Sequence, residues 1–287
     1  MTLTITLDLE DSTGANAATG RWVAATERFL AALTERSIRA TVFVVGDAAR
    51  GCPALVRRVA DAGHEIGLHG LHHVALGVSG PERLGDELRE GRALLQDLTG
   101  QSVDGFRAPI FSLTPSTAWA VDQLTDVGFT YSSSVLPARN PLHGWPGLPR
   151  APFLWSTGLV ELPCPVLDLG PARVPFLGGI YLRYVPRLAA RHELTGLGPE
   201  ALAWSYVHPY DLDPGAPIRR FPHANWPTSL LLHTRRRATM RCLDRALAAA
   251  GGAGLPLGER VAALGDAPLP RVDAARTASG DGAWARR

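Results

Sequence analysis

Cysteine is scarce in this chain: Cys52, Cys164 and Cys242 are the only three, widely separated and without a CxxC pair. That excludes a disulfide framework and a cysteine-ligated zinc site. An excess of charge of one sign is also lacking. The 29 basic and 27 acidic residues leave a formal net charge of +2 over 287 residues, which argues against nucleic acid as the main partner. No apolar run reaches the roughly 18 residues that would span a bilayer. The opening segment MTLTITLDLED has no basic stretch followed by an apolar one, as a secretory leader would. The expectation is a cytoplasmic protein with no membrane span. Hydrophobic residues at 46% and charged residues at 20% describe an ordinary folded chain, long enough to bury one large core.

Residues 3–9 alternate Thr with Leu or Ile, a strand signal, and end in the acidic group Asp8, Glu10, Asp11. A helix is predicted over 22–36, a strand over 40–45, a helix over 53–62 closed by Gly63, and a strand over 64–68 that runs into histidines. The order then repeats, with a helix over 81–98 closed by Gly100, a strand over 103–107 and a helix from Thr114 and Pro115 to Gly128. Strands alternating with helices predict a parallel sheet whose ligands gather at the C-terminal strand ends. Residues 137–175, rich in Pro, Gly and Trp, read as loops lining a cleft. A strand over 202–207 and one final helix over 230–249 follow. The stretch beyond Gly265 reads as a disordered tail, giving one domain over 1–265 and a tail over 266–287. The one dense basic run, Arg235 to Arg237, reads as a solvated helix face, with phosphate contact as the weaker alternative.

His69, His72 and His73 fall within five residues of HEIGLHGLHHVAL. Imidazoles four apart can face one point if the backbone turns helically there. The acidic group at the first strand end can add an oxygen ligand, giving a two-histidine, one-carboxylate set with positions open to water and substrate. Taken alone, those carboxylates also suit helix caps or strand-end decoration. Two or three of them on a buried strand end repel one another unless a cation or an arginine balances them. Arg107, in GFRAPIF, offers a planar guanidinium for that task. His208, in SYVHPYDLD, has Asp211 and Asp213 close by, and a carboxylate neighbour can keep it protonated for acid catalysis. A turn built on Pro209 is the alternative.

These four segments, in this order, resemble the motifs of the polysaccharide deacetylase family, also called the NodB homology domain or carbohydrate esterase family 4. The first motif, DLED, resembles the D-x-E/D branch, and the resemblance covers residues 3–264. It implies an α/β fold, a distorted (β/α) barrel with about seven parallel strands rather than eight. It also implies a metal-dependent amide hydrolase that removes an N-acyl group, acetyl above all, from an amino sugar that is small, nucleotide-linked or lipid-linked. Matched residue by residue, Asp8 is the general base and Glu10 the metal carboxylate, with Asp11 competing. His69 and His73 are the metal histidines, Arg107 orients the base, Pro109 shapes its loop, and His208 is the general acid. The implied cofactor is a divalent cation, zinc first, with cobalt, nickel or manganese as alternatives. One departure is Ser132 of YSSS, where an acidic partner for the histidine is expected, so that tuning of His208 falls to Asp211. Rival readings are a hydrolase of a cyclic ureide, imide or formamido sugar, and a non-catalytic carbohydrate-binding relative. Tyr131 and the loop 145–149 carry aromatic groups suited to a sugar but are not assigned to the site.

Overall fold

A computed structural model describes residues 2–140, 143–198, 202–221, 224–265 and 267–279. The first strand, β1 (Leu3–Leu9), is buried along its whole length. Its Leu and Ile side chains fill the core, while Thr4 and Thr6 satisfy their hydroxyls on the carbonyls of Leu255 and Ser205, at 2.7 and 2.6 Å. A strand buried on both faces is what the centre of a parallel sheet requires. Helix α1 (Arg21–Glu35) leads to β2 (Thr41–Val44). The short α2 (Gly46–Gly51) and α3 (Pro53–Asp61) follow, then β3 (Glu65–Leu68). Helix α4 (Leu76–Thr99), β4 (Gly105–Phe106), α5 (Ala120–Val127) and β5 (Tyr131–Ser132) complete the first half.

The second half holds β6 (Phe153–Trp155), β7 (Val160–Glu161), β8 (Val166–Leu169), β9 (Ala172–Pro175), α6 (Tyr181–Tyr184), α7 (Arg187–Gly196) and β10 (Ala203–Val207). Helices α8 (Trp226–His233), α9 (Thr239–Ala250) and α10 (Leu257–Ala262), strand β11 (Arg271–Val272) and helix α11 (Ala274–Ala278) follow. The main sheet runs β10-β1-β2-β3-β4-β5-β7-β6-β11. Among the described residues its first seven strands pair in parallel, and β6 returns antiparallel to β7. The sheet curls about Arg107, whose guanidinium touches side chains of β1, β2 and β10 at once. The result is the distorted (β/α) barrel the sequence predicts.

Three expectations need correction. Residues 137–175 are not all loop, because β6 to β9 lie there; strands of two to four residues are too short to show a period. The final helix is two, α8 and α9, divided at Arg235, whose φ of 58° is left-handed. The helix predicted from 81 stands: Gly80, at φ of 73° and ψ of 166°, separates it from a short helical turn that opens α4 at Leu76. The stretch 267–279, expected to be disordered, is ordered: β11 pairs with β6, Val272 is buried, and Asp273 caps α11 through the Arg276 N–H at 2.9 Å. Its order comes from a partner strand more than a hundred residues away, which composition does not reveal. Residue 266 and residues 280–287 of the expected tail lie outside the described residues.

Candidate active site

The C-terminal end of β1 delivers Asp8 and Glu10 to one place, since residues two apart share a face of a strand. Both are buried. Asp8 Oδ1 accepts a hydrogen bond from Arg107 Nη1 at 2.6 Å. Arg107 is fully buried, and every side of it is held. Nη1 also donates to Thr6 Oγ1 at 2.7 Å, Nη2 to Ser133 Oγ at 3.0 Å and Nε to the Ser133 carbonyl at 3.2 Å. Its plane lies between the rings of Phe43 and Trp204, 4.1 and 4.3 Å from their centroids. A desolvated ion pair costs less than a lone charge only when its geometry and remaining donors are satisfied. Here each nitrogen of the guanidinium has a partner, so Asp8 is fixed in position.

The loop carrying Ser133 is set from below by Glu161. Its carboxyl accepts from the N–H groups of Ser134 and Val135 at 2.7 and 2.9 Å and from Trp155 Nε1 at 3.3 Å. Burial pushes that carboxyl above its ordinary range, against the pull of these donors. Ser132 bonds Ser134 at 2.8 Å within this network.

His69 follows β3, and His73 follows a turn rather than a helix. Gly70 has φ of 76° and would bring a Cβ to 3.1 Å from Pro109, while His73 itself has φ of 51°. The two imidazoles converge, with centroids 5.1 Å apart, through left-handed backbone and not through the helical spacing expected. His69 Nδ1 donates to the Arg107 carbonyl at 2.9 Å, which leaves Nε2 with its lone pair free for a ligand. Burial drives its pKa down to about 4, so the ring is neutral at neutral pH, as a metal ligand must be. His73 Nε2 meets Glu10 Oε2. Burial opposes charge on Glu10, yet His73, His208 and His69 hold its pKa at about 2.

One donor atom each from Glu10, His69 and His73 lies within 4.8 Å of the others. These are two nitrogens and one oxygen, the set that suits a divalent transition metal with open positions. Glu10 Oε2 is buried against His73 Nε2, so oxygen and nitrogen donors already converge on one point. The residues fit a metal.

Asp11 stands apart from this cluster, its carboxylate taken by the N–H groups of Thr13 and Asn16 at 2.9 and 3.0 Å. His72 bonds Asp47 at 3.0 Å on the exposed side. Tyr131 and Trp145 are core residues: the Tyr131 hydroxyl donates to Glu65 at 2.8 Å, and Trp145 packs on Trp155.

His208 follows β10. Its Nε2 lies 3.8 Å from Asp8 Oδ2, and its Nδ1 lies 2.8 Å from Asp211 Oδ2. Burial would lower its pKa, but Asp211, with Glu10 and Asp8, raises it to about 9. Asp211 in turn meets buried Arg183, whose Nη2 donates to the Leu232 carbonyl at 3.1 Å. The ring of Tyr210 stacks on His208 at 4.6 Å, with an interplanar angle of 12°. Asp213, by contrast, pairs outward with Arg21 at 2.6 Å. Arg183, Thr6, Ser133 and the Phe43–Trp204 sandwich were not singled out in the sequence. Only Thr6 left a signal there, as the neighbour two before Asp8 on the same strand.

All six predicted residues, Asp8, Glu10, His69, His73, Arg107 and His208, line one cavity of about 470 Å³ over the strand ends. Its wall includes Phe111, which with Ile110 sits in left-handed backbone at φ of 53° and 51°. Such conformations cost about 1–3 kcal/mol each and persist where the surroundings hold them. Here they press the Phe111 ring against Tyr206, 5.1 Å between centroids.

Residues 4–131 match the family model described as polysaccharide deacetylase, and residues 133–251 match one described as a domain of unknown function, DUF3473. Residues 4–131 are thus similar to the polysaccharide deacetylase family. A Bacillus subtilis protein designated a polysaccharide deacetylase, YheN, is 34% identical over 109 residues, 38% of this chain and 39% of its own length. The peptidoglycan-N-acetylmuramic acid deacetylase PdaA of Bacillus subtilis is 30% identical over 84 residues, 29% of this chain and 32% of its own. The chain thus spans between 28% and 39% of the length of the curated relatives it matches. A crystal structure of a Mycobacterium smegmatis protein designated a polysaccharide deacetylase shares the fold, with TM-score 0.60, 20% identity and 94% of both chains covered. The first matched segment holds Asp8, Glu10, His69, His73 and Arg107, and the second holds His208, Asp211 and Arg183.

Proposed function

We propose that this chain is a metal-dependent hydrolase that removes an N-acyl group, acetyl first, from an amino-sugar glycan. One arrangement carries the proposal. Asp8, locked by Arg107, lies 3.8 Å from His208 Nε2 and beside the Glu10, His69 and His73 donors, within a single cavity. Glu10, His69 and His73 would hold the metal, with zinc first among divalent cations. Once bound, it supplies a Lewis acid that polarises the acyl carbonyl and acidifies water.

Asp8 is placed to take the proton of the attacking water at Oδ2, because its Oδ1 is already committed to Arg107. Arg107 holds that carboxylate in place, with Oδ2 left on the side of His208. His208, protonated through its bond to Asp211, is placed to deliver a proton from Nε2 to the departing nitrogen. Base and acid thus sit side by side with opposite charge, the condition for one turnover to use both. Relatives named as peptidoglycan deacetylases support an acetylated amino sugar as substrate.

The test is metal content and acetate release from N-acetylated oligosaccharides and peptidoglycan fragments. Wild type is compared with His69→Ala and Asp8→Asn. Bound metal with acetate release, both lost in His69→Ala and only release lost in Asp8→Asn, supports the proposal. Metal bound without acetate release from any N-acetyl sugar refutes the substrate class. No metal bound under any loading condition refutes metal dependence.

A further inference from the structure

Helix α8 is built the wrong way round for a water-facing helix. Its polar side chains point inward: Ser229 is buried and accepts the Phe221 N–H at 3.0 Å, and His233 Nε2 meets the Arg219 backbone at 3.0 Å. Its apolar side chains point out, with Trp226 59%, Leu230 50% and Leu231 44% exposed. At about 100° per residue these three span an arc of about 140° on one face, the width of a buried stripe. Ile218, just before the helix, is 63% exposed as well. Scattered exposed leucines need no explanation, but a contiguous apolar stripe with tryptophan marks an interaction surface.

The charge around this stripe identifies what covers it. Between Asp213 and Asp244 the sequence has six arginines and no carboxylate. Arg220 precedes the helix, and Arg235 and Arg237 follow it, all exposed. None of the three forms an ion pair among the described residues. Arg235 lies instead over the exposed ring of Tyr184, 4.9 Å from its centroid. A second copy seated here would set arginines against arginines with nothing to neutralise them. A surface that is apolar within and anionic at its boundary satisfies both features together: Trp and Leu enter the acyl boundary, while arginines reach the headgroups.

We infer that α8 and its flanking arginines dock this protein on an anionic lipid bilayer. The helix has eight residues, too few to span, so it lies in the interface plane. Thr228 and Leu232, on its inner side, line the catalytic cavity. Docking therefore sets the rim of the cavity against the lipid surface. If the site is the glycan deacetylase proposed above, its substrate is one carried at that surface.

Vesicle binding does not depend on catalysis, so it distinguishes failure of this inference from failure of the deacetylase proposal. The purified full chain is mixed with vesicles of phosphatidylcholine alone, or of equal parts phosphatidylcholine and phosphatidylglycerol, and bound protein is measured by co-sedimentation at low and high salt. The variants are Leu230→Ser/Leu231→Ser and Arg235→Gln/Arg237→Gln. All four positions are exposed and outside the catalytic set, so thermal unfolding and activity on a soluble substrate stay at wild-type values.

The expected result is binding to the mixed vesicles that weakens with salt. Each arginine adds about fivefold, so the arginine pair lowers binding about 25-fold. The leucine pair lowers it about tenfold or more. No binding to mixed vesicles overturns the inference. So does equal binding to neutral and anionic vesicles that the arginine variant leaves unchanged. A wild-type dimer that Leu230→Ser/Leu231→Ser converts to monomer, without vesicle binding, would assign the stripe to a second copy instead.

Discussion

The bond between Asp211 and His208 should decide where on the pH axis this site works. Asp211→Asn removes the charge that opposes burial, and burial alone would take the imidazole below its ordinary value. With the pKa at about 9, His208 is about nine-tenths protonated at pH 8; returned to 6.5, it is about 3% protonated. The loss in kcat/KM at pH 8 is therefore about 30-fold, and at pH 6 it is less than about twofold. The sign follows from the role. An acid must hold its proton, so a lower pKa drags the alkaline limb of the pH profile toward neutrality and leaves the acidic side untouched.

Arg183 complicates the single variant, because Asp211→Asn strands a buried cation, and removing one partner of such a pair costs about 3–5 kcal/mol. Asp211→Asn/Arg183→Gln removes both charges and should recover most of that stability while keeping the shifted limb. Full pH profiles of acetate release, with thermal unfolding at each pH, give both quantities. A loss that is the same at pH 6 and pH 8 would refute the assignment of His208 as an acid tuned by Asp211.

Three further outcomes are expected. Glu10→Gln should lower metal affinity by about tenfold or more, while Asp11→Asn, whose carboxylate is occupied by Thr13 and Asn16, should leave it within about twofold; metal titration by calorimetry separates the two. Arg107→Met should cost about 3–5 kcal/mol, read from denaturant unfolding, because it leaves buried Asp8 without its counter-charge. Val272→Ser should cost about 2 kcal/mol by the same measurement, since it puts an unmatched hydroxyl where β11 buries a methyl pair against β6.

The parts of this molecule that sequence revealed are those whose signal is local. Strand β1 announces itself by alternation, α1 by periodicity, α3 by a closing glycine, and the chemistry-bearing residues by standing at predicted strand ends. What stayed hidden depends on distant partners. Strand β11 exists because β6 offers it an edge, and Arg183 is a site residue only because α6 folds back over Asp211. The histidine pair misled in a different way: spacing of four suggested a helical turn, while Gly70 and His73 reach the same convergence by left-handed backbone. Residue identity fixed which groups meet, but not the path that brings them together.

The division of the site between two matched segments has a mechanical meaning in the proposed reaction. Residues 4–131 supply base, orienting arginine and metal donors, and would by themselves bind and activate water. The group proposed to protonate the leaving nitrogen lies outside them. That group comes from 133–251, delivered by β10, which pairs with β1 from Leu3 to Leu7, so His208 and Asp8 emerge side by side from adjacent parallel strands. The same segment brings the devices that act on the acid: Asp211 to hold its proton, Arg183 to hold Asp211, and Tyr210 to fix the plane of its ring. Sheet pairing between β1 and β10 is thus what couples base to acid, and a change that slips their register by one residue would turn Asp8 or His208 away from the cavity.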